Sequence, residues 1–177
     1  MRHPSTPITL AWLNGCSEAE FVNALGGVFE HSPWIATQAA QQRPYDDLSA
    51  LHASMLDAVR RLSPEALRGY LSLHPELAGS EARGGRMTAE STREQGTLDL
   101  AAPNPEDGET WDELNRRYRA KFGFPFILCI RRHTRATALA AFRERLTRSP
   151  EQELCAALEE IALISRLRLE DQLTPGP

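Results

Sequence analysis

Helix-start signals constrain this chain more than any other feature. A helix leaves its first amide donors unpaired, so a side-chain oxygen just ahead of it, answered by Glu or Gln three residues on, marks a start. Ser17 with Glu20 opens one short helix, which Gly26 and Gly27 stop. "SALHASMLDAVRRL" carries Leu51, Met55, Ala58, Val59 and Leu62 at helical spacing, and Ser63 with Pro64 begins a further stretch that Gly69 ends. Thr88 caps the polar segment "AESTREQ", which closes near Gly96. Thr110 with Glu113 forms a capping box for "WDELNRRYRAKF", whose Trp111, Leu114 and Tyr118 make one core stripe, and the preceding "AAPNPEDGET" reads as loop. "GFPFILCI" is interrupted by Gly123 and Pro125, and its apolar run fits either a strand or a buried helix. Ser149, Pro150 and Gln152 open a last helix with Leu154, Leu158, Ile161 and Leu169 on its apolar side. The expected architecture is all-α: a single compact domain over 1–177 of several short, broken helices, not a simple four-helix bundle. Its ends, at about 1–8 and 173–177, are expected to be short and flexible.

Composition removes several function classes. At 177 residues the chain can bury its own core, and a formal charge of −4 gives no basic field for nucleic acid. Basic residues gather locally in "CIRRHTR" and "FRERLTR", a clustering that suits a small anion better than a duplex. Cys16, Cys129 and Cys155 are an odd number without close pair spacing, which points to reduced thiols in a cytosolic compartment. No stretch reaches the roughly 20 apolar residues of a membrane helix, and the start lacks an export signal, so a soluble intracellular protein is expected. His3, His31, His52, His74 and His133 are too dispersed for a ligand motif, and no phosphate loop or dinucleotide fingerprint is present. The expected chemistry therefore uses side chains and backbone alone, with no metal and no cofactor.

Three places could carry it. In "LHPELAG" a proline follows His74 and pushes it out of helical conformation, so its ring stands at a helix end; the plain alternative is a terminus where an imidazolium suits the dipole. Seventeen residues later comes Ser91, and twenty later Glu94, three apart on one helical face with Gln95 beside them. That spacing leaves room for a loop and an antiparallel return. A carboxylate beside an imidazole orients the ring and favours its charged form. A Ser-His-Glu nucleophilic triad is the weaker reading, since no strand-borne nucleophile turn is present. Further along, Gly123 and Pro125 leave the amides of Phe126 to Leu128 available to a heterocycle or carboxylate, whereas Phe122 and Phe124 fit an aromatic core plug equally well. Arg166 and Arg168 punctuate the last helix; one turned inward would match a substrate carboxylate or urea-like carbonyl.

Taken in order, "FEHSPWIA" (29–36), "RPY" (43–45), "HPELAG" (74–79), "STREQ" (91–95), "LNRRYRAKFGFPFILCIR" (114–131) and "RLRLED" resemble the motifs of the OHCU decarboxylase family from Leu10 to about Leu173. That family converts 2-oxo-4-hydroxy-4-carboxy-5-ureidoimidazoline to (S)-allantoin, the last step from urate. The resemblance implies an all-helical, cofactor-free enzyme, commonly a homodimer. It implies a catalytic His74 with Glu94 as acidic partner, and substrate contacts from Pro75, Ser91, Gln95, the backbone of Phe126 and Ile127, and Arg168, with Arg166 close in register. Two features depart from the family pattern. "GTLDLAAPNPEDGE" replaces an alanine-rich turn after Gln95, and the peroxisomal C-terminal tripeptide of some eukaryotic relatives is missing, which implies the cytoplasm. An inactive ligand-binding homologue and a serine hydrolase are the competing functions.

Overall fold

Residues 8–79, 82, 84, 85, 87–96 and 105–174 are described by the computed structural model of the chain, with backbone alone over 105–110. Among them every regular element is a helix, as the capping signals require. Ser17 and Glu20 exchange both bonds of a capping box. Ser149 and Gln152 do the same at 3.0 and 3.3 Å, and Thr88 Oγ1 accepts the Ser91 amide at 3.2 Å. No described helix is long and apolar enough to cross a membrane.

The chain divides into two compact units, Met1–Ser63 with Ile164–Pro177, and Pro64–Leu163. The first contains α1 (Leu10–Gly15), α2 (Glu18–Leu25), α3 (Pro33–Ala40), α4 (Leu48–Arg60) and the end of α9 (Pro150–Gln172). α1 and α3 carry starts that the sequence reading passed over: Thr9 accepts the Trp12 amide, and Pro33 sits in the first turn of α3. Leu13, Phe21, Leu25, Ile35, Leu51 and Met55 fill this core. The "RPY" string binds it together. Arg43 donates to the carbonyls of Ala40, Leu13 and Cys16 at 2.8, 2.9 and 2.6 Å, and the Tyr45 hydroxyl donates to Ala39 at 2.7 Å. Of the ends expected to be flexible, 1–7 and 175–177 lie outside the described residues, while the Thr174 amide donates to Ile8.

The second unit holds α5 (Pro64–Leu71), α6 (Ala89–Gly96), α7 (Pro105–Phe122), a 3-10 turn (Ile130–Arg132), α8 (Arg135–Arg145) and the start of α9. α7 corrects the sequence reading. It starts at Pro105, six residues before Trp111, because a proline is pre-set for a first helical turn, so Thr110 lies inside the helix. The loop expected over 101–110 is helical from 105 on, and 97–104 lie outside the described residues. "GFPFILC" is neither strand nor helix. Gly123, at φ +80°, ends α7, and an irregular buried run leads to the 3-10 turn. Trp111, Tyr118, Phe122, Phe124, Phe126 and Phe142 form an aromatic core beside Leu114, with Phe126 stacked on Phe142 at 3.9 Å.

Candidate active site

His74 stands where the proline rule predicts, in the turn that closes α5. Its amide donates to Leu71, one turn back, and its half-buried ring meets Tyr70 edge-on at 5.5 Å between centroids. The residues after it form a loop held from two sides. Gln95 of α6 accepts the Ala78 amide at 3.0 Å and donates to the Glu76 carbonyl at 3.4 Å. From α7, Asn115 donates to the Leu77 carbonyl at 3.0 Å, and Arg119 pairs with Glu76 at 2.9 Å. These bonds sustain an uncommon backbone: Ala78 has φ +52°, and a Cβ on Gly79 would stand 2.6 Å from the Glu76 Cβ. The "HPELAG" string is thus a rigid platform behind His74 and Pro75.

α6 is polar on its buried side as well as on its exposed one, where Thr92 and Arg93 lie. Ser91 and Gln95, one turn apart, are both buried. α6 packs against the 3-10 turn, and the half-buried Glu94 is close enough for its carboxylate to act on Cys129. Burial foremost, then the Glu160 and Glu94 carboxylates, against Arg132 and Arg131, push the Cys129 thiol up to about 11. α6 therefore joins the His74 loop, through Gln95, to the 126–130 run, through Glu94.

Phe126 and Ile127 are buried, and among the described residues their amides meet no hydrogen-bond acceptor, whereas Cys129, two residues on, donates to Glu160 at 2.7 Å. The Ile127 carbonyl accepts from Arg145 at 2.7 Å. Phe122 and Phe124 are core, packed on Tyr118 at 4.6 and 5.9 Å between centroids. Arg168 and Arg166, on the last helix, belong to the first unit. Arg168 is buried, donating to Glu30 at 3.0 Å and to the Val28 carbonyl at 3.4 Å; Arg166 pairs with Glu170 near the surface.

Asn115, Tyr118, Arg145 and Glu153 are residues that the sequence reading did not single out for the site. Glu153 carried a signal, since it precedes Ala157 and Ile161 at helical spacing, where an apolar residue belongs. In "FRERLTR", a basic cluster suited by composition to a small anion, Arg145 is 4% exposed and turned onto Glu153.

Comparison with known proteins gives a concordant result. A family model described as OHCU decarboxylase matches residues 14–170. The 2-oxo-4-hydroxy-4-carboxy-5-ureidoimidazoline decarboxylase of Mus musculus is 38% identical over 161 residues, 91% of this chain and 90% of that protein. The uric acid degradation bifunctional protein of Bacillus subtilis is 35% identical over 166 residues, 94% of this chain and 33% of its own length. A crystal structure of (S)-allantoin synthase superposes with a TM-score of 0.74 at 30% identity, covering 94% of this chain and 54% of that one.

Proposed function

This chain belongs to the OHCU decarboxylase family, and from that premise we propose that His74, Glu94 and the 126–127 backbone form the site that decarboxylates 2-oxo-4-hydroxy-4-carboxy-5-ureidoimidazoline. The chain is a carboxy-lyase of urate degradation, and its product is (S)-allantoin. One observation carries the proposed site: a single helix, α6, is bonded to the loop behind His74 through Gln95 and packs against the 3-10 turn that follows the 126–129 run.

The substrate suits such a site. Its carboxylate sits on a hydroxyl-bearing carbon next to a C=N bond, so when the C–COO bond breaks, its electron pair enters the ring and charge grows on the nitrogen. The nitrogen takes up a proton, a second proton adds to one face of the ureido-bearing carbon, and the hydroxyl carbon becomes a carbonyl as its own proton leaves. The protein has to hold the carboxylate out of the ring plane, meet the growing charge and present one face to the proton donor. In this reading His74 contacts the hydroxyl or carboxylate and Glu94 holds the imidazole. Ser91 positions the substrate, Pro75 packs against it, and the amides of Phe126 and Ile127 hold the ring. Gln95 serves first as the clamp on the loop, with a second amide hydrogen that can reach the ligand. The contact proposed for Arg168 and a homodimer rest on the resemblance, and a cytoplasmic location on the resemblance together with the cysteine pattern; light scattering on the eluted protein tests the dimer.

The purified chain, with no metal or organic cofactor added, is expected to turn freshly generated substrate into optically active allantoin faster than a protein-free control. Folded protein that gives no acceleration overturns the assignment. Binding without turnover would mark an inactive homologue, and a covalent adduct on Ser91 a hydrolase.

A further inference from the structure

A buried cluster stands directly behind the proposed ring contacts. The Arg145 guanidinium donates through Nε to Glu153 at 2.6 Å and through an Nη atom to the Ile127 carbonyl at 2.7 Å, and lies 4.6 Å from the centre of the Phe126 ring. A second Nη atom closes the ion pair with Glu153. Tyr118 donates its hydroxyl to the same carboxylate oxygen at 2.5 Å. Burial, and then that bond, push the phenol well above its ordinary range, so it remains a donor at any physiological pH. Glu153 is 0% exposed.

As a stabilising device this cluster is a poor choice. Removing two charges from water costs about what their attraction returns, so apolar residues of similar volume serve at least as well. What an apolar residue cannot do is hold a carbonyl. The planar guanidinium fixes three things at set angles: a carboxylate on one edge, the Ile127 carbonyl on another, and the Phe126 ring against its face. With the Phe126 ring also stacked on Phe142 at 3.9 Å, the chain is pinned on both sides of the peptide that joins Phe126 to Ile127.

We propose that Arg145, itself fixed by Glu153 and Tyr118, is a positioning residue that sets the orientation of the Phe126 and Ile127 amides toward the substrate ring. The inference rests on the reading of those amides as ring contacts. Arg145 touches no reacting atom in it.

The test replaces the charges together, so that neither partner is left buried alone: the variant R145M/E153M/Y118F is compared with wild type in melting temperature, steady-state kinetics and the amide resonances of residues 126–128. The expected result is a fold that melts at or above wild type, resonances of Phe126 and Ile127 that move or broaden while the rest of the spectrum is kept, and a kcat/KM at least tenfold lower, mostly through kcat. A folded triple variant with unmoved resonances and kcat/KM within twofold of wild type overturns the proposal. If the triple variant does not fold, Arg145→Lys decides. It keeps the charge opposite Glu153 but cannot span carboxylate and carbonyl together, so the same resonance shift and a tenfold loss are expected, and wild-type behaviour overturns the proposal. Wild-type protein inactive on the substrate would defeat the functional reading, while the resonances still decide whether Arg145 orients the 126–127 peptide.

Discussion

The proline after His74 and the tyrosine four residues before it settle where the imidazole stands, one by barring helix, the other by giving the ring an edge to pack on. If Glu94 orients that imidazole, His74→Ala and Glu94→Ala should each remove most of the chemical-step acceleration, and the double variant should lose little more than either alone. Cleanly additive losses would separate the two residues. Ser91→Ala should keep measurable turnover, because a neutral hydrogen bond is worth roughly 0.5–1.5 kcal/mol, about tenfold in rate at most. Melting curves recorded alongside distinguish lost chemistry from a frayed α5. At this scale the sequence was informative about residue type and blind to partners. Gln95 reads as a substrate contact in "STREQ", yet its amide group clamps Ala78 and Glu76, because Ala78 adopts a left-handed backbone that no string of letters displays.

Among the elements, the irregular run after α7 depends on how that helix stops. Gly123 sits at φ +80° with its amide bonded to Arg119, and no atom lies within 4 Å of the place a Cβ would take. Backbone strain alone therefore sets the cost of Gly123→Ala, about 1–2 kcal/mol. That corresponds to a fall of roughly 2–8 °C in melting temperature. Gly123→Asn should cost less, since asparagine tolerates this region better. Equal melting of wild type and the alanine variant would show that the turn relaxes. Element starts were legible where the cap is followed by Glu or Gln or by a first-turn proline, or heads a polar helix, as at Ser17, Ser149 and Thr88, and were missed at the lone caps Thr9 and Asp47 and at the Thr134–Thr137 box. They were missed where a proline opens the helix inside a stretch that reads as loop, as at Pro105. In the last helix the leucines misled. Leu154 and Leu158 are only partly buried, and the inward stripe runs through Glu153, Ala157, Ile161, Ser165 and Leu169. Hydrophobic periodicity can flag a polar residue in an apolar stripe, as at Glu153, but it cannot name the partner on another element.

Across the whole molecule, distant segments are joined by charges that share a buried place. In the first unit Arg168 meets Glu30 across 138 positions, with both residues under 7% exposed. Glu30→Ala leaves that guanidinium buried beside a lost partner and should cost on the order of 3–5 kcal/mol. Arg166→Ala, which loses a pair near the surface, should cost under about 1 kcal/mol. Urea unfolding of the two variants checks the ranking, and equal losses would show that the Arg168 pair is no better sheltered than its neighbour. The sequence by itself determined the helical class, the helix starts at Ser17, Ser63, Thr88 and Ser149, the break at His74 and the ordered strings by which the family is recognised, because each is a property of residues a few positions apart. Only the tertiary structure decided that α6 links the His74 loop to the 126–130 run, that Arg168 answers Glu30, and that Arg145, Glu153 and Tyr118 stand behind Ile127. Those pairings join residues from 8 to 138 positions apart. A buried charge is tolerated only beside its partner, and which residues become neighbours is settled when the helices pack.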